Sequence, residues 1–180
     1  MPGKKHPLKA FLCHAHDDKD SVKALYTHLL NDGVDAWLDK EKLIPGQDWR
    51  QEIRKAVSES DVVIVCLSNQ FKYKGYRQVE VSIALEEARL QPEGEIFIIP
   101  ARLEECETLV SLEKWHWVDL FNNDGYEKLM QSLKLRAEHA GKKIPKLTKP
   151  NTELYNNIPG DEDVKTTKGG IKGLYETRDY

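Results

Sequence analysis

Polar and ionisable residues gather where the apolar runs of this chain end, and two of them are spaced one helical turn apart. Tyr76 and Glu80 stand at i and i+4, so a helix puts them on one face, and Ile83 and Ala84 continue that face as an apolar stripe. A carboxylate at the edge of such a stripe costs free energy unless it is paired or put to use. Position alone leaves two readings of Glu80 open: a solvated helix glutamate near Arg77 or Lys74, or a working carboxylate. His14, His16 and Asp17 follow the first apolar run, Asp39 the second and Ser68 the third. His14-x-His16 with Asp17 has the composition of a metal site, but no third His or Cys stands at ligand spacing, so no metal is expected. Cys13 ends an apolar run, where a thiol packs as a small hydrophobe rather than acting as a nucleophile. Gly169-Gly170-x-x-Gly173 follows no strand-like run and is not read as a phosphate loop.

Positioning those groups falls to strands and helices in alternation. Residues 8–13 (LKAFLC) form a short apolar run of the kind buried in a parallel sheet. Asp17, Asp18 and Asp20 then offer N-caps to a helix whose apolar residues Val22, Leu25, Tyr26, Leu29 and Leu30 make one stripe, and Asn31, Asp32 and Gly33 end it. Residues 34–38 read as a second strand, and a polar loop over 39–48 centres on Ile44-Pro45-Gly46. Asp48-Trp49-Arg50-Gln51 reads as a capping box, opening a helix with Trp49, Ile53, Ala56 and Val57 on one side. Residues 62–67 are apolar throughout and mostly β-branched, which predicts the middle of a sheet. A helix over 76–90, strands over 96–101 and 115–119, and a last helix with Tyr126, Leu129, Met130, Leu133 and Ala137 on one stripe complete the series. The fold class expected is α/β, a doubly wound (flavodoxin-like) five-stranded parallel sheet with helices on both faces. Such sheets bind ligands beyond the carboxyl ends of their strands, where the strand order reverses.

The domain is expected over residues 8–140. Beyond it the character changes: residues 141–180 hold five of the eleven glycines and three of the eight prolines, and carry a charge of +2 against −5 for residues 1–140. That composition predicts a linker or disordered tail. The net charge of −3 gives no electrostatic reason to expect nucleic acid as a partner. No apolar stretch nears the roughly 18 residues of a membrane span, and the basic start of the chain has no apolar segment behind it long enough for a signal peptide. Cys13, Cys66 and Cys106 form no C-x-x-C pair, which suits a reducing compartment, so a cytoplasmic location without membrane contact is expected.

Four segments in order resemble the Toll/interleukin-1 receptor (TIR) family, over roughly residues 8–138. Ala10-Phe11-Leu12-Cys13-His14 is similar to the family's first-strand box, with Cys13-His14 where that box commonly ends in Ser and an aromatic or His. Residues 37–46 (WLDKEKLIPG) resemble its second strand and long BB loop, and residues 61–68 (DVVIVCLS) its third strand. Residues 76–85 (YRQVEVSIAL) resemble the helix of the bacterial, NAD-cleaving branch, with Tyr76 where that branch commonly has Trp. The resemblance implies an NAD+ nucleosidase, hydrolase or cyclase, with Glu80 as the catalytic carboxylate and NAD+ as substrate rather than cofactor. It further implies that Tyr76, Asp39, Ser68 and His14 contact substrate. Leu43, Ile44, Pro45 and Gly46 of the BB loop would then serve self-association with other TIR domains, in defence or cell-death signalling.

One carboxylate suffices for that chemistry. Nicotinamide leaves NAD+ as a neutral pyridine, so no general acid is needed, unlike the usual glycosidase pair. A carboxylate held against the ribose stabilises the developing cation and orients it. A response-regulator receiver needs a phosphate-accepting Asp at the end of the third strand, where this chain has Cys66-Leu67-Ser68. A nucleoside deoxyribosyltransferase-like enzyme lacks the BB-loop match. The remaining alternative is a non-enzymatic TIR adaptor acting by TIR–TIR contact, against which the acid beside an aromatic argues.

Overall fold

The computed structural model of the chain describes residues 6–38, 44–72 and 76–145, without the side chains of His16, Lys72, Tyr76, Arg77 and Gln78. Asp39, Leu43 and residues 146–180 lie outside the described residues, and with them one expected substrate contact, part of the expected assembly loop and most of the expected tail.

Five strands, β1 (Lys9–Cys13), β2 (Asp35–Leu38), β3 (Val62–Leu67), β4 (Ile98–Arg102) and β5 (Val118–Asp119), form one sheet in the order β2-β1-β3-β4-β5. Every pairing is parallel. Four helices connect them: α1 (Lys19–Asn31), α2 (Trp49–Ser58), α3 (Tyr76–Ala88) and α4 (Gly125–His139). This is the doubly wound α/β sheet expected. Alternation along each strand sends side chains to two separate cores. Ala10, Leu12, Val62, Ile64 and Cys66 pack with α1 and α4, whereas Phe11, Cys13, Val63, Val65 and Leu67 pack with α2 and α3. With a core on each side, all six residues of β3 are buried, which is why that segment reads as an unbroken apolar run.

Some boundaries differ from the reading, each for a physical reason. Asp48 caps α2 through the Arg50 amide at 3.0 Å rather than through the third helical residue, so the bond that defines a capping box is not the one made. β5 pairs over only two residues, Val118 and Asp119, fastened by Arg102 Nε on Asp119 Oδ1 at 2.5 Å. Gly125 follows so closely that a Cβ there would lie 2.1 Å from the Asp119 carbonyl, so α4 starts in contact with the β5 backbone. In β4 the backbone groups of Phe97 and Leu103 face β3, and that of Arg102 faces β5. By the same alternation Pro100, a residue without an N–H, turns its nitrogen toward the β5 side at a level before β5 pairing begins.

The chain does not leave the domain at Gly141. Lys143 donates its amide to the His6 carbonyl at 3.1 Å and accepts from the Leu8 amide at 3.2 Å, while Ile144 packs against the α1/α4 core. Sequence composition changes at residue 141, but packing continues through the last described residues. Nearby, the buried Arg136 guanidinium of α4 donates to the Asp61 carbonyl at 2.8 Å, Glu95 at 2.6 Å and Gln91 at 3.3 Å. One side chain thus ties α4 to the start of β3 and to the α3–β4 connection.

Candidate active site

From β1 the chain runs outward to β2, then returns across β1 to β3, so the strand order reverses between β1 and β3. Their carboxyl ends are therefore where a crevice is expected. Glu80 reaches that point from α3: its Oε2 accepts a hydrogen bond from the Cys13 thiol, the last residue of β1, at 3.2 Å. Only 2% of Glu80 is exposed, so the reading of a solvated helix glutamate does not hold. Val81 and Ala84 of α3 pack into the same core as Cys13, which presses this helix onto the carboxyl end of β1. Tyr76 opens α3 one turn before Glu80, and its ring is outside the described side chains.

Ser68 follows β3, but its register, shared with Ile64 and Cys66, points to the other face of the sheet. Its hydroxyl donates to Asp18 and accepts from the Gln70 amide at 3.1 Å. Both Ser68 and Asp18 are buried. The sequence reading took Asp18 as one of three helix caps, yet as the N-cap residue of α1 it makes no side-chain cap bond. Its carboxylate instead secures the entrance of α1 to the end of β3. Burial pushes the Cys66 thiol well above its ordinary range, and the Asp18 charge adds to that, so Cys66 is an inert core thiol. His14 follows β1 directly, half-buried, with Nδ1 2.6 Å from the Ala15 carbonyl. That acceptor fixes the ring proton on Nδ1.

The sequence-predicted residues therefore divide. Glu80, His14 and Ser68 all converge on the carboxyl ends of β1 and β3, but Glu80 serves the α2/α3 side and Ser68 the α1 side. Cys13 was missed as the partner of Glu80. The signal for it was present: Phe11 and Cys13 share one face of β1 by alternation. Further out, Ile44, Pro45, Gly46 and Gln47 form a tight turn, with the Gln47 amide donating to the Ile44 carbonyl at 3.1 Å and the Gln47 side chain accepting from the Ile44 amide at 2.9 Å. Proline at the second position and Gly46 at φ +94° at the third are the requirements of a type II turn. It leaves Ile44 66% exposed.

A surface cavity of about 350 Å³ is lined by Lys9, Asp35, Trp37, Lys55 and neighbouring α2 residues, at the amino ends of β1 and β2. A groove of about 550 Å³ runs along α4 past Tyr126 and Pro145. Glu80 lines neither. Among the described residues no three His, Cys, Asp or Glu side chains are grouped to hold a metal ion, and no described helix is long and apolar enough to cross a membrane.

Comparison with known proteins bears on the family and the fold. The chain is 33% identical over 91 residues to an NAD(+) hydrolase, TcpA, of Theionarchaea archaeon (strain DG-70-1), over 50% of this chain and 27% of that protein. It is 33% identical over 73 residues to the 2' cyclic ADP-D-ribose synthase BtTIR of Bacteroides thetaiotaomicron, over 40% of this chain and 25% of that protein. The chain thus spans about a quarter of the length of these curated relatives. Among solved structures, the TIR domain of the Toll-related receptor TRR-2 from Hydra magnipapillata superposes with a TM-score of 0.59 at 20% identity, over 69% of this chain and 97% of that one. The sequence profile of the TIR domain matches residues 10–133, from within β1 to within α4, and on that match the chain belongs to the TIR domain family.

Proposed function

We propose that this domain cleaves the nicotinamide–ribose bond of NAD+, with Glu80 as the catalytic carboxylate. The observation that carries the reading is the burial of Glu80 against the carboxyl end of β1, at the reversal of strand order. A carboxylate is expensive to bury there and needs a use. Two relatives whose names state NAD+ hydrolysis and cyclic ADP-ribose synthesis support the substrate.

In this reading the C–N bond to nicotinamide breaks with both electrons leaving on the neutral pyridine. The ribosyl cation that remains is stabilised by the Glu80 charge, held in a site with little water. Water then adds to the ribosyl carbon and releases a proton, giving ADP-ribose; an adenine nitrogen adding instead gives a cyclic product. Tyr76 would stack on the nicotinamide, while Asp39 and His14 would hold the nucleotide. The Ser68 hydroxyl, engaged with Asp18, would act mainly by fixing the loop that carries His14.

With 2% of Glu80 exposed, substrate entry requires the groups over the carboxylate to move aside. That supports control by self-association through the loop that ends in the Ile44–Gln47 turn. The same closure, beside an exposed Ile44, also favours a second reading: a binding module that joins other TIR domains and cleaves nothing.

The test is release of free nicotinamide from NAD+ by the concentrated protein, compared with Glu80→Gln. Glutamine keeps the size but not the charge, and loss of such a group costs on the order of a hundredfold or more in rate. Glu86→Gln is the control, since Glu86 forms an exposed pair with Arg54 at 2.8 Å and has no place near β1. Wild type that releases no nicotinamide at any concentration leaves the binding module. A fully active Glu80→Gln variant removes Glu80 from the mechanism.

A further inference from the structure

We infer that Cys13 is a positioning residue for the Glu80 carboxylate, its thiol holding Oε2 and so orienting the group toward the ribose. The inference rests on the proposed NAD+ cleavage. Cys13 is fixed on the sheet: it is fully buried and paired in register with Val65 of the central strand. A glutamate side chain has three rotatable bonds, and ordering it costs rotamer freedom. The 3.2 Å contact from Sγ to Oε2 gives that flexible side chain a fixed point on the sheet.

The chemistry of the donor matters as much as its place. An ionised carboxylate only accepts hydrogen bonds, so the thiol is the donor in this pair. An arginine or lysine in the same position would orient the carboxylate but would also cancel the charge that a ribosyl cation needs. A thiol is neutral and a weak donor, so it orients the group while leaving its charge available. The neighbouring core residues on this face, Phe11, Val63 and Val65, are purely apolar.

Cys13→Ser keeps a donor at nearly the same point, and Cys13→Ala removes it. Saturation kinetics with NAD+ should give the serine variant a kcat within about threefold of wild type. The alanine variant should lose about tenfold or more in kcat, with KM within about twofold, because misorientation at the reacting centre is paid in the transition state. Thermal midpoints of both should stay within a few degrees of wild type. An alanine variant with wild-type kcat overturns the inference. So does an equal loss in both variants, since that marks packing rather than hydrogen bonding.

A readout that needs no turnover separates this inference from the proposed activity. With three cysteines in the chain, the infrared S–H stretch of Cys13 is identified by its disappearance in Cys13→Ala. It should lie below the free-thiol position and shift in Glu80→Gln. A band at the free-thiol position, unmoved by Glu80→Gln, overturns the positioning role whether or not the protein cleaves NAD+. A lowered band in a protein that releases no nicotinamide keeps the contact and discards the reaction.

Discussion

Removing the Ser68 hydroxyl would take a donor away from the Asp18 carboxylate at a place closed to water. Leaving a buried polar group without that partner costs about 1–3 kcal/mol. Ser68→Ala should therefore lower unfolding free energy by about that amount in urea denaturation, and Ser68→Ala combined with Asp18→Asn should recover part of it. A Ser68→Ala protein as stable as wild type would show that the hydroxyl is spare and available to a ligand. The residues at this end of the sheet illustrate what sequence can and cannot say. The type of each residue and its place after a strand were legible, because period-two alternation and helical spacing follow from backbone geometry alone. Which of two acidic neighbours turns inward was not. Asp17 is exposed and Asp18 buried, and the difference depends on the path of a short 3-10 turn, His16–Asp18, that leaves no periodic signature.

Between residues 44 and 47 the backbone makes a turn that only a few sequences allow. Gly46 sits at φ +94° with open space around its missing side chain, so a substitution there strains the turn without disturbing the core. Proline at 46 demands a φ near −65° and cannot keep the turn at all. Gly46→Pro and Ile44→Asp should each cut nicotinamide release severalfold while circular dichroism and thermal midpoint stay near wild type. Wild-type activity should also rise per molecule with protein concentration. Activity proportional to enzyme amount, and unchanged by both substitutions, would detach this turn from function. The order of the major elements and their parallel arrangement were readable in advance, since every apolar stripe and every buried run faces one of two cores. The two-residue β5 was overestimated as a strand over 115–119 because apolar and aromatic content around Trp115 and Trp117 mimics pairing that the backbone does not make. The Cys13–Glu80 contact joins residues 67 positions apart: alternation along β1 gives the face that Cys13 takes, but no local pattern names the residue it meets there.

For the whole molecule, the packing of residues 142–145 moves the expected edge of the domain. Composition from residue 141 onward suggests chain that buries too little apolar surface to offset its entropy. Truncation after Pro145 should leave the thermal midpoint within a few degrees. Truncation after Gly141 should lower it measurably, because it removes the Lys143 pairing with His6 and Leu8 and the Ile144 packing. Equal midpoints for the two truncations would show that these contacts carry no stability, and a collapse of both would place essential packing beyond residue 145.

Pro100 bears on how donors are counted across the sheet. Every propensity scale favours valine over proline in a strand, and Pro100 is buried within β4. Yet its nitrogen turns to the flank where β5 pairing has not yet begun, so an N–H on this buried residue would have to find its acceptor in the chain that leads into β5. Proline avoids that debt by having nothing to donate. Pro100→Val, a change toward better strand character, should accordingly destabilise the domain by about 1–3 kcal/mol in chemical denaturation. A variant at least as stable as wild type would mean that some other acceptor waits on that flank. The apparent misfit in the fourth strand thus sits at the margin of the sheet: the outermost pairing starts only past a residue that has no hydrogen to give.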